Sequence, residues 1–282
     1  MPDLRGSTMF ISGASRGIGL AIALRAARDG ANVALVAKTT EPHPKLEGTI
    51  YTAAEAIEAA GGHALPIVGD IRDDAAVAGA VAAAVERFGG IDICVNNASA
   101  INLASVEALD MKRYDLMQDI NTRGAFVVSK ACVPHLKHGR NPHILTLSPP
   151  ISLDPRWLAP YTAYTIAKYG MTLVALGLAA ELRDAGVASN ALWPRTLVAT
   201  AAVQNLLGGD EAMRRARTPE VYADAAYAVL TRPSTECTGN AFLCEDVLVE
   251  SGVTDLDRYS AAGADAELAV DLFVDAINPP GM

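Results

Sequence analysis

Short, nearly continuous apolar runs alternate with stretches in which apolar residues return every three or four positions. Thr8–Ser12, Asn32–Ala37, Ala64–Val68, Ile91–Val95, Ile144–Leu147 and Ala188–Leu192 read as strands. Between them, Gly17–Asp29, Thr52–Ala60, Asp74–Phe88, Asp110–Ile120, Thr122–His138 and Ala163–Asp184 read as helices. Repeated strand–helix–strand units need crossover connections, and so a parallel sheet with helices on both faces. The strands are apolar at almost every position, as a strand covered on both faces should be. No Pro- or Ser-rich linker divides the chain and no solenoid-length repeat is visible. The pattern therefore predicts one α/β domain over residues 1–282, a doubly wound, Rossmann-type parallel sheet. It leaves a tail from about residue 255 unassigned.

Composition agrees with that frame and removes several classes of function. A hydrophobic fraction of 51% with 20% charged residues in 282 residues excludes a disordered chain. The formal net charge of −9 argues against a nucleic-acid partner, which would ask for a basic face. It leaves room for a small anion held by a few local cations. The apolar run Tyr169–Ala180 falls short of a bilayer span, so no membrane partner is expected. Met1 to Arg5 opens no secretory signal. Cys94, Cys132, Cys237 and Cys244 show no metal-ligand spacing and suit a reducing cytoplasm, with no metal site.

Gly13-Ala-Ser15-Arg16-Gly17-Ile18-Gly19 lies between the first strand and the first helix. Glycines there allow a tight turn and close approach to a pyrophosphate, toward which the helix N-terminus directs free N–H groups. The second strand ends Ala37-Lys38, without the carboxylate that would accept hydrogen bonds from an adenosine ribose and repel a 2′-phosphate. Lys38 and Arg16 supply two cations instead, which favours NADP(H) over NAD(H). Tyr164 and Lys168 stand four apart on the long helix and so share a face. A nearby ammonium would favour phenolate, drawing the Tyr164 pKa from ~10 toward neutrality.

The GxxxGxG spacing, Asn96-Asn97-Ala98-Ser99 and the later Tyr164-x-x-x-Lys168 together resemble the short-chain dehydrogenase/reductase family. That resemblance implies carbonyl–alcohol hydride transfer, with Tyr164 as acid/base and Lys168 holding the nicotinamide ribose. Asn121, in Asp119-Ile-Asn-Thr-Arg-Gly124, matches the helix asparagine of the family's proton relay. Asp70 matches the adenine-contacting acid, with Ile71 beside it; Asn97, Ala98 and Ser99 would line the cofactor. Pro194 and Thr196 match the segment that contacts the carboxamide, although Arg195 replaces its usual glycine; Thr200 lies just beyond. Residues 201–217 fall where the family carries a substrate lid or, more simply, a surface helix hairpin.

The family expects a serine pair after the fifth strand, the second polarising the substrate carbonyl. Here Ser148 is followed by Pro149, Pro150 and, further on, Ser152. Ser148 is the preferred donor; Ser152, or neither, remains open, because spacing does not settle which hydroxyl reaches within about 3 Å of an oxyanion. The stretches Ala37–Ala54, Asn121–Gly124, Ser148–Pro150, Tyr164–Gly170 and Ala191–Pro194 further resemble a hydroxysteroid-dehydrogenase-like branch of the family. Members of that branch can carry a C-terminal sterol-carrier domain and can be peroxisomal or mitochondrial. This chain stops before such a domain and shows no Ser-Lys-Leu-type address, so a cytoplasmic protein is expected. In the loop from Thr39 to Gly48, Lys45 either reaches toward the 2′-phosphate or is simply solvated.

The leading expectation is an NADP(H)-dependent oxidoreductase acting on a carbonyl or secondary alcohol, lipid- or steroid-like. The alternatives are a catalytically idle NADP(H)-binding scaffold and a reductase of an activated C=C bond. The family implies a homodimer or homotetramer built on the helices around residues 122–138 and 163–184.

Overall fold

Seven strands, β1 (Thr8–Ser12), β2 (Asn32–Ala37), β3 (His63–Val68), β4 (Ile93–Asn96), β5 (His143–Leu147), β6 (Ala188–Trp193) and β7 (Ala241–Leu243), form one sheet in the order β3-β2-β1-β4-β5-β6-β7. Every pairing in this computed structural model is parallel. The described residues are 3–42 and 46–279, so the expectation for Lys45 lies outside them. The strand order reverses between β1 and β4, and in a doubly wound sheet the ligand crevice lies at the carboxyl ends of the strands flanking that point.

The helices are α1 (Gly17–Ala27), α2 (Ile50–Ala59), α3 (Asp74–Phe88), α4 (Met111–Gln118), α5 (Gly124–Leu136), α6 (Pro155–Leu158), α7 (Thr162–Glu181), α8 (Ala201–Leu206), α9 (Gly209–Arg214), α10 (Glu220–Leu230) and α11 (Cys244–Glu250). On one face Ile22, Ile50, Ile57, Val221, Val229 and Val247 pack against β1, β2 and their neighbours. On the other, Val77, Val81, Val128, Leu136 and Leu178 cover Phe10, Cys94 and Ile144. By length and composition α7 could cross a bilayer, yet more than half of its apolar window is buried inside the domain.

The sequence pattern located the first six strands to within two residues. It did not anticipate α6, α10, β7 or α11, and it treated α4 and α5 as separate helices. They are joined through a π-turn at Asp119–Arg123, the kind of local irregularity often found at functional positions. The tail is not a free appendage. Val270 pairs antiparallel with Thr196, the Leu197 N–H donates to the Ala269 carbonyl at 3.0 Å, and the Asp271 N–H donates to the Arg195 carbonyl at 3.0 Å. Residues 201–217 form the short helices α8 and α9, separated at Gly208 and Gly209.

Candidate active site

The N-termini of α2, α3 and α4 are closed by their own side chains, Thr49, Asp73 and Asp110. That of α1 is not: Arg16 gives no side-chain cap, and no acidic residue lies in the first turn. A helix start with open N–H groups and a positive dipole end is suited to a phosphate. The turn into it needs left-handed backbone at Gly13 (φ +73°) and Gly17 (φ +59°). Gly19 has another reason to be glycine: a Cβ there would sit 2.5 Å from the Asn97 amide nitrogen. Asn97 donates to the carbonyls of Ser12 (2.9 Å) and Gly13 (2.8 Å), locking the end of β4 to the glycine turn.

A cleft of about 760 Å³ runs from this turn along the ends of β2 and β3. Gly13, Ser15, Arg16, Gly17, Ile18, Lys38, Asp70, Ile71, Asn97, Ala98 and Ser99, all anticipated from sequence, line it. The glycine turn, the uncapped helix and the elongated cleft fit a dinucleotide. The two cations are less free than the sequence implies. Lys38 pairs with Asp70 at 3.2 Å, and Arg16 donates to the backbone carbonyls of Glu47 (2.8 Å) and Gly48 (2.7 Å). Asp70 is also bound by Arg72, whose hydrogen bonds hold its carboxyl well below the usual carboxylate range.

Beyond Ile18, Asn97 and Ser99 the crevice continues into a smaller chamber of about 180 Å³ that contains Tyr164, Lys168, Pro194 and Thr200. Tyr164 and Lys168 are 4% and 3% exposed on the first two turns of α7. The Lys168 ammonium donates to the Leu147 carbonyl at 2.8 Å and lies 4.9 Å from the centre of the Trp193 ring. Burial pushes Lys168 down to about 7. It drives Tyr164 above the ordinary phenol value, and the charge of Asp271 adds to that rise. Desolvation is thus the main influence on both groups, and it favours the neutral phenol and the neutral amine.

Asn121 sits in the π-turn with its side chain fully engaged. Its Oδ1 accepts from the Ala100 N–H (2.7 Å) and its Nδ2 donates to the Ala100 carbonyl (2.9 Å). The turn reaches α7 because Gly170 has no side chain, and the Thr122 hydroxyl there donates to the Ala167 carbonyl at 3.0 Å. Thr196 is buried, its hydroxyl lies 3.4 Å from Glu245, and it does not line the chamber. Thr200 caps α8.

Neither serine is where the expectation needs it. Ser148 is fully buried with its hydroxyl 2.9 Å from that of Thr172, which also donates to the Pro149 carbonyl at 2.7 Å. Pro149 thus turns the chain so that Ser148 faces the flank of α7 rather than the chamber. Ser152 has its backbone N–H and carbonyl held by the Tyr169 hydroxyl, at 3.2 and 2.9 Å, outside the chamber. What the sequence did not reveal is the chamber's remaining wall. Asp271 and Leu272 of the tail line it, and Phe273 packs among the rings of Trp157, Tyr164, Tyr169 and Trp193. Arg195, standing where a glycine is usual, anchors this wall. Its guanidinium grips Asp246 at 2.7 and 2.8 Å and donates to the Ala276 carbonyl, while its N–H donates to Glu245.

Residues 7–209 match the sequence profile of the short chain dehydrogenase family. The chain is 55% identical over 272 residues to hydroxysteroid dehydrogenase-like protein 2 of Danio rerio and 51% identical over 272 residues to that of Homo sapiens. These alignments take in 96% of this chain but only 65% and 64% of the relatives, so it spans a little under two thirds of their length. The crystal structure of a short chain dehydrogenase from Mycobacterium thermoresistibile superposes with a TM-score of 0.94 at 72% identity, covering 99% of both chains. With the parallel seven-stranded sheet, the glycine turn and the Tyr164–Lys168 pair in one crevice, these matches establish that the chain belongs to the short-chain dehydrogenase family.

Proposed function

We propose that the protein is an NADP(H)-dependent oxidoreductase that interconverts a carbonyl and a secondary alcohol on an apolar, lipid- or steroid-like substrate. The observation that carries this reading is the single crevice in which the glycine turn and the buried Tyr164–Lys168 pair are joined through Ile18, Asn97 and Ser99. The nicotinamide ring would supply or take up the hydride. Gly13 to Gly19 and the start of α1 would hold its diphosphate, Arg16 and Lys38 the 2′-phosphate, and Lys168 the neighbouring ribose. The Tyr164 hydroxyl has no protein hydrogen-bond partner among the described residues and would give its proton to the substrate oxygen. A phenol that burial keeps protonated is suited to act as the acid in carbonyl reduction. Lys168 and Asn121 in the π-turn would restore that proton.

Ile101, Trp193, Leu197, Val203, Leu207 and Leu272 give the chamber its apolar walls, in keeping with the hydroxysteroid dehydrogenase-like naming of the relatives. Phe126 on α5 and Ile166 and Leu173 on α7 are exposed, supporting a homodimer or homotetramer through those helices. Four buried, unpaired cysteines suit a reducing cytoplasm.

Stopped-flow oxidation of NADPH against a panel of apolar ketones tests the reading. Tyr164→Phe is expected to lower the hydride-transfer rate by about 10²–10⁴-fold, the usual contribution of a general acid, while NADPH still binds. The displacement of Ser148 from the chamber favours a second reading, an idle NADP(H)-binding scaffold; tight NADPH binding without turnover in either protein would select it. Turnover of activated C=C bonds that survives Tyr164→Phe would instead indicate an enone-type reductase.

A further inference from the structure

We propose that Asp271, carried into the catalytic chamber by the C-terminal strap, is the hydrogen-bond donor that polarises the substrate carbonyl in place of a strand-end serine. The proposal rests on the oxidoreductase reading and adds to it a third group that touches substrate.

Its basis is a vacancy of function and a group placed to fill it. Reduction of a carbonyl gains when a second donor meets the oxygen on which charge develops. Ser148 and Ser152 both face elsewhere, while Asp271 lines the same small chamber as Tyr164 and Lys168. The placement is held from several sides. Asp271 donates its N–H to the Arg195 carbonyl at 3.0 Å, and the Trp193 indole N–H donates to the Leu272 carbonyl at 2.9 Å. Phe273 adopts left-handed backbone, φ +70°, with its ring inside the aromatic cluster. A non-glycine residue in that region costs about 1–3 kcal/mol and persists only where its surroundings over-determine it. The strap is thus fixed two residues beyond Asp271.

The carboxyl is arranged to donate. Its Oδ1 accepts the Leu272 N–H at 2.7 Å. Among the described residues no cation is within salt-bridge distance of it. The titratable groups around it are Lys168 and Tyr164 on α7, Tyr222 on α10, and Cys244 and Glu245 on α11. Lys168 donates to Leu147 and Glu245 pairs with Arg217 at 2.8 Å. Withdrawal from solvent pushes Asp271 up to about 7, with Glu245 adding to the rise, and Lys168 and the Leu272 N–H opposing it. A neutral carboxyl is a donor at one oxygen and an acceptor at the other, and apolar surroundings can preserve such an acid for oxyanion binding. Asp271 keeps its proton throughout; the proton delivered to the substrate comes from Tyr164. Neutral Asp271 also removes the charge that opposes phenolate formation at Tyr164 when the alcohol is oxidised.

The test compares wild type, Asp271→Asn and Asp271→Leu in the full chain loaded with NADPH, using an aryl ketone as substrate probe and its non-reducible carboxamide as a binding probe. Asp271→Leu is expected to lose about 100-fold in kcat for ketone reduction, as loss of one oxyanion donor does. NADPH affinity by fluorescence and the melting temperature should stay near the wild-type values. Asp271→Asn, which retains an N–H donor, should recover most of the rate. Wild-type kcat/KM for reduction should fall as pH rises through about 7, where both Asp271 and Lys168 lose a proton, and the fall should become shallower in Asp271→Asn, in which Lys168 alone titrates there. The carboxamide, whose carbonyl would accept the same hydrogen bond, should bind Asp271→Leu at least about tenfold more weakly, the equivalent of about 1.4 kcal/mol. Ketone reduction and carboxamide binding unchanged in Asp271→Leu overturn the proposal while leaving Tyr164 chemistry intact. So does an Asp271→Asn variant no better than Asp271→Leu. A wild-type protein that neither reduces the ketone nor binds the carboxamide overturns the underlying reading as well.

Discussion

The two walls of the crevice draw their partners from different ranges of the chain. The glycine turn and its neighbours hold a ligand-sized space with backbone: Gly13 and Gly17 in left-handed conformations, an uncapped α1, and Asn97 reaching across to two carbonyls. The C-terminal strap combines backbone pairing at Ala269–Asp271 with side chains, charged ones in particular. Arg195 joins Asp246 and the Ala276 carbonyl, while Glu245, fully buried, receives the Arg195 N–H at 2.8 Å and pairs with Arg217, itself 1% exposed. A backbone cradle can be specified by a few adjacent residues. A strap needs partners from distant parts of the chain, so damage to one partner should spread.

The strap's charge cluster should therefore show the larger effect. Glu245→Leu leaves the Arg217 guanidinium buried without its counter-ion, and loss of one member of such a pair costs about 3–5 kcal/mol. Burial raises the Glu245 pKa, and the Arg195 N–H and the charge and hydrogen bond of Arg217 offset only part of that rise. Denaturant unfolding is expected to register the loss. The double substitution Arg217→Met with Glu245→Leu should restore most of it, because an apolar pair has no desolvation to recover. A single variant within about 1 kcal/mol of wild type, far below that range, would mean that the strap does not depend on this pair.

On the backbone side, Gly19→Ala introduces a Cβ 2.5 Å from Asn97 Nδ2 and 2.9 Å from the Gly13 carbonyl. Overpacking of this kind costs about 1–3 kcal/mol, and here the displaced group is the amide that locks the turn. The expected result is a modest fall in stability with a larger fall in NADPH affinity, measured by calorimetry. Equal affinity for both proteins would show that the turn adapts and that Asn97 does not set it.

The same contrast explains what could be read from the sequence. Gly13-x-x-x-Gly17-x-Gly19 and Tyr164-x-x-x-Lys168 were legible because each depends on neighbours a few residues away, on a turn or on one helix face. The alternation of apolar strands with helices likewise exposed the doubly wound sheet. Asp271 was not legible: nothing near it in sequence marks it, and it lines the chamber with Tyr164 only because Arg195, Trp193 and Thr196 receive the tail. Spacing correctly put Ser148 at the end of β5 but could not say which way its hydroxyl points; Thr172, on another element, decides that. The Tyr164–Lys168 pair was visible as a pair, whereas the direction of its pKa shifts depends on burial that only the assembled fold supplies.

Cofactor choice brings both kinds of wall together and carries the smallest expected effect. Lys38 is half exposed and shares Asp70 with Arg72, so its charge is partly screened and partly neutralised before any phosphate arrives. Lys38→Asp removes that cation and places a second carboxylate beside Asp70, at the end of β2 where a carboxylate can accept hydrogen bonds from ribose hydroxyls and repel a 2′-phosphate. The NADPH-to-NADH affinity ratio is expected to fall about tenfold, or about 1.4 kcal/mol, with most of the change in the NADPH arm. Titration of both dinucleotides at two salt concentrations separates the contributions, because a charge effect at an exposed site shrinks as salt rises and a steric one does not. Equal losses for NADPH and NADH would sink the assignment of Lys38 to a 2′-phosphate and leave Arg16, pinned to Glu47 and Gly48, as the other cation to test.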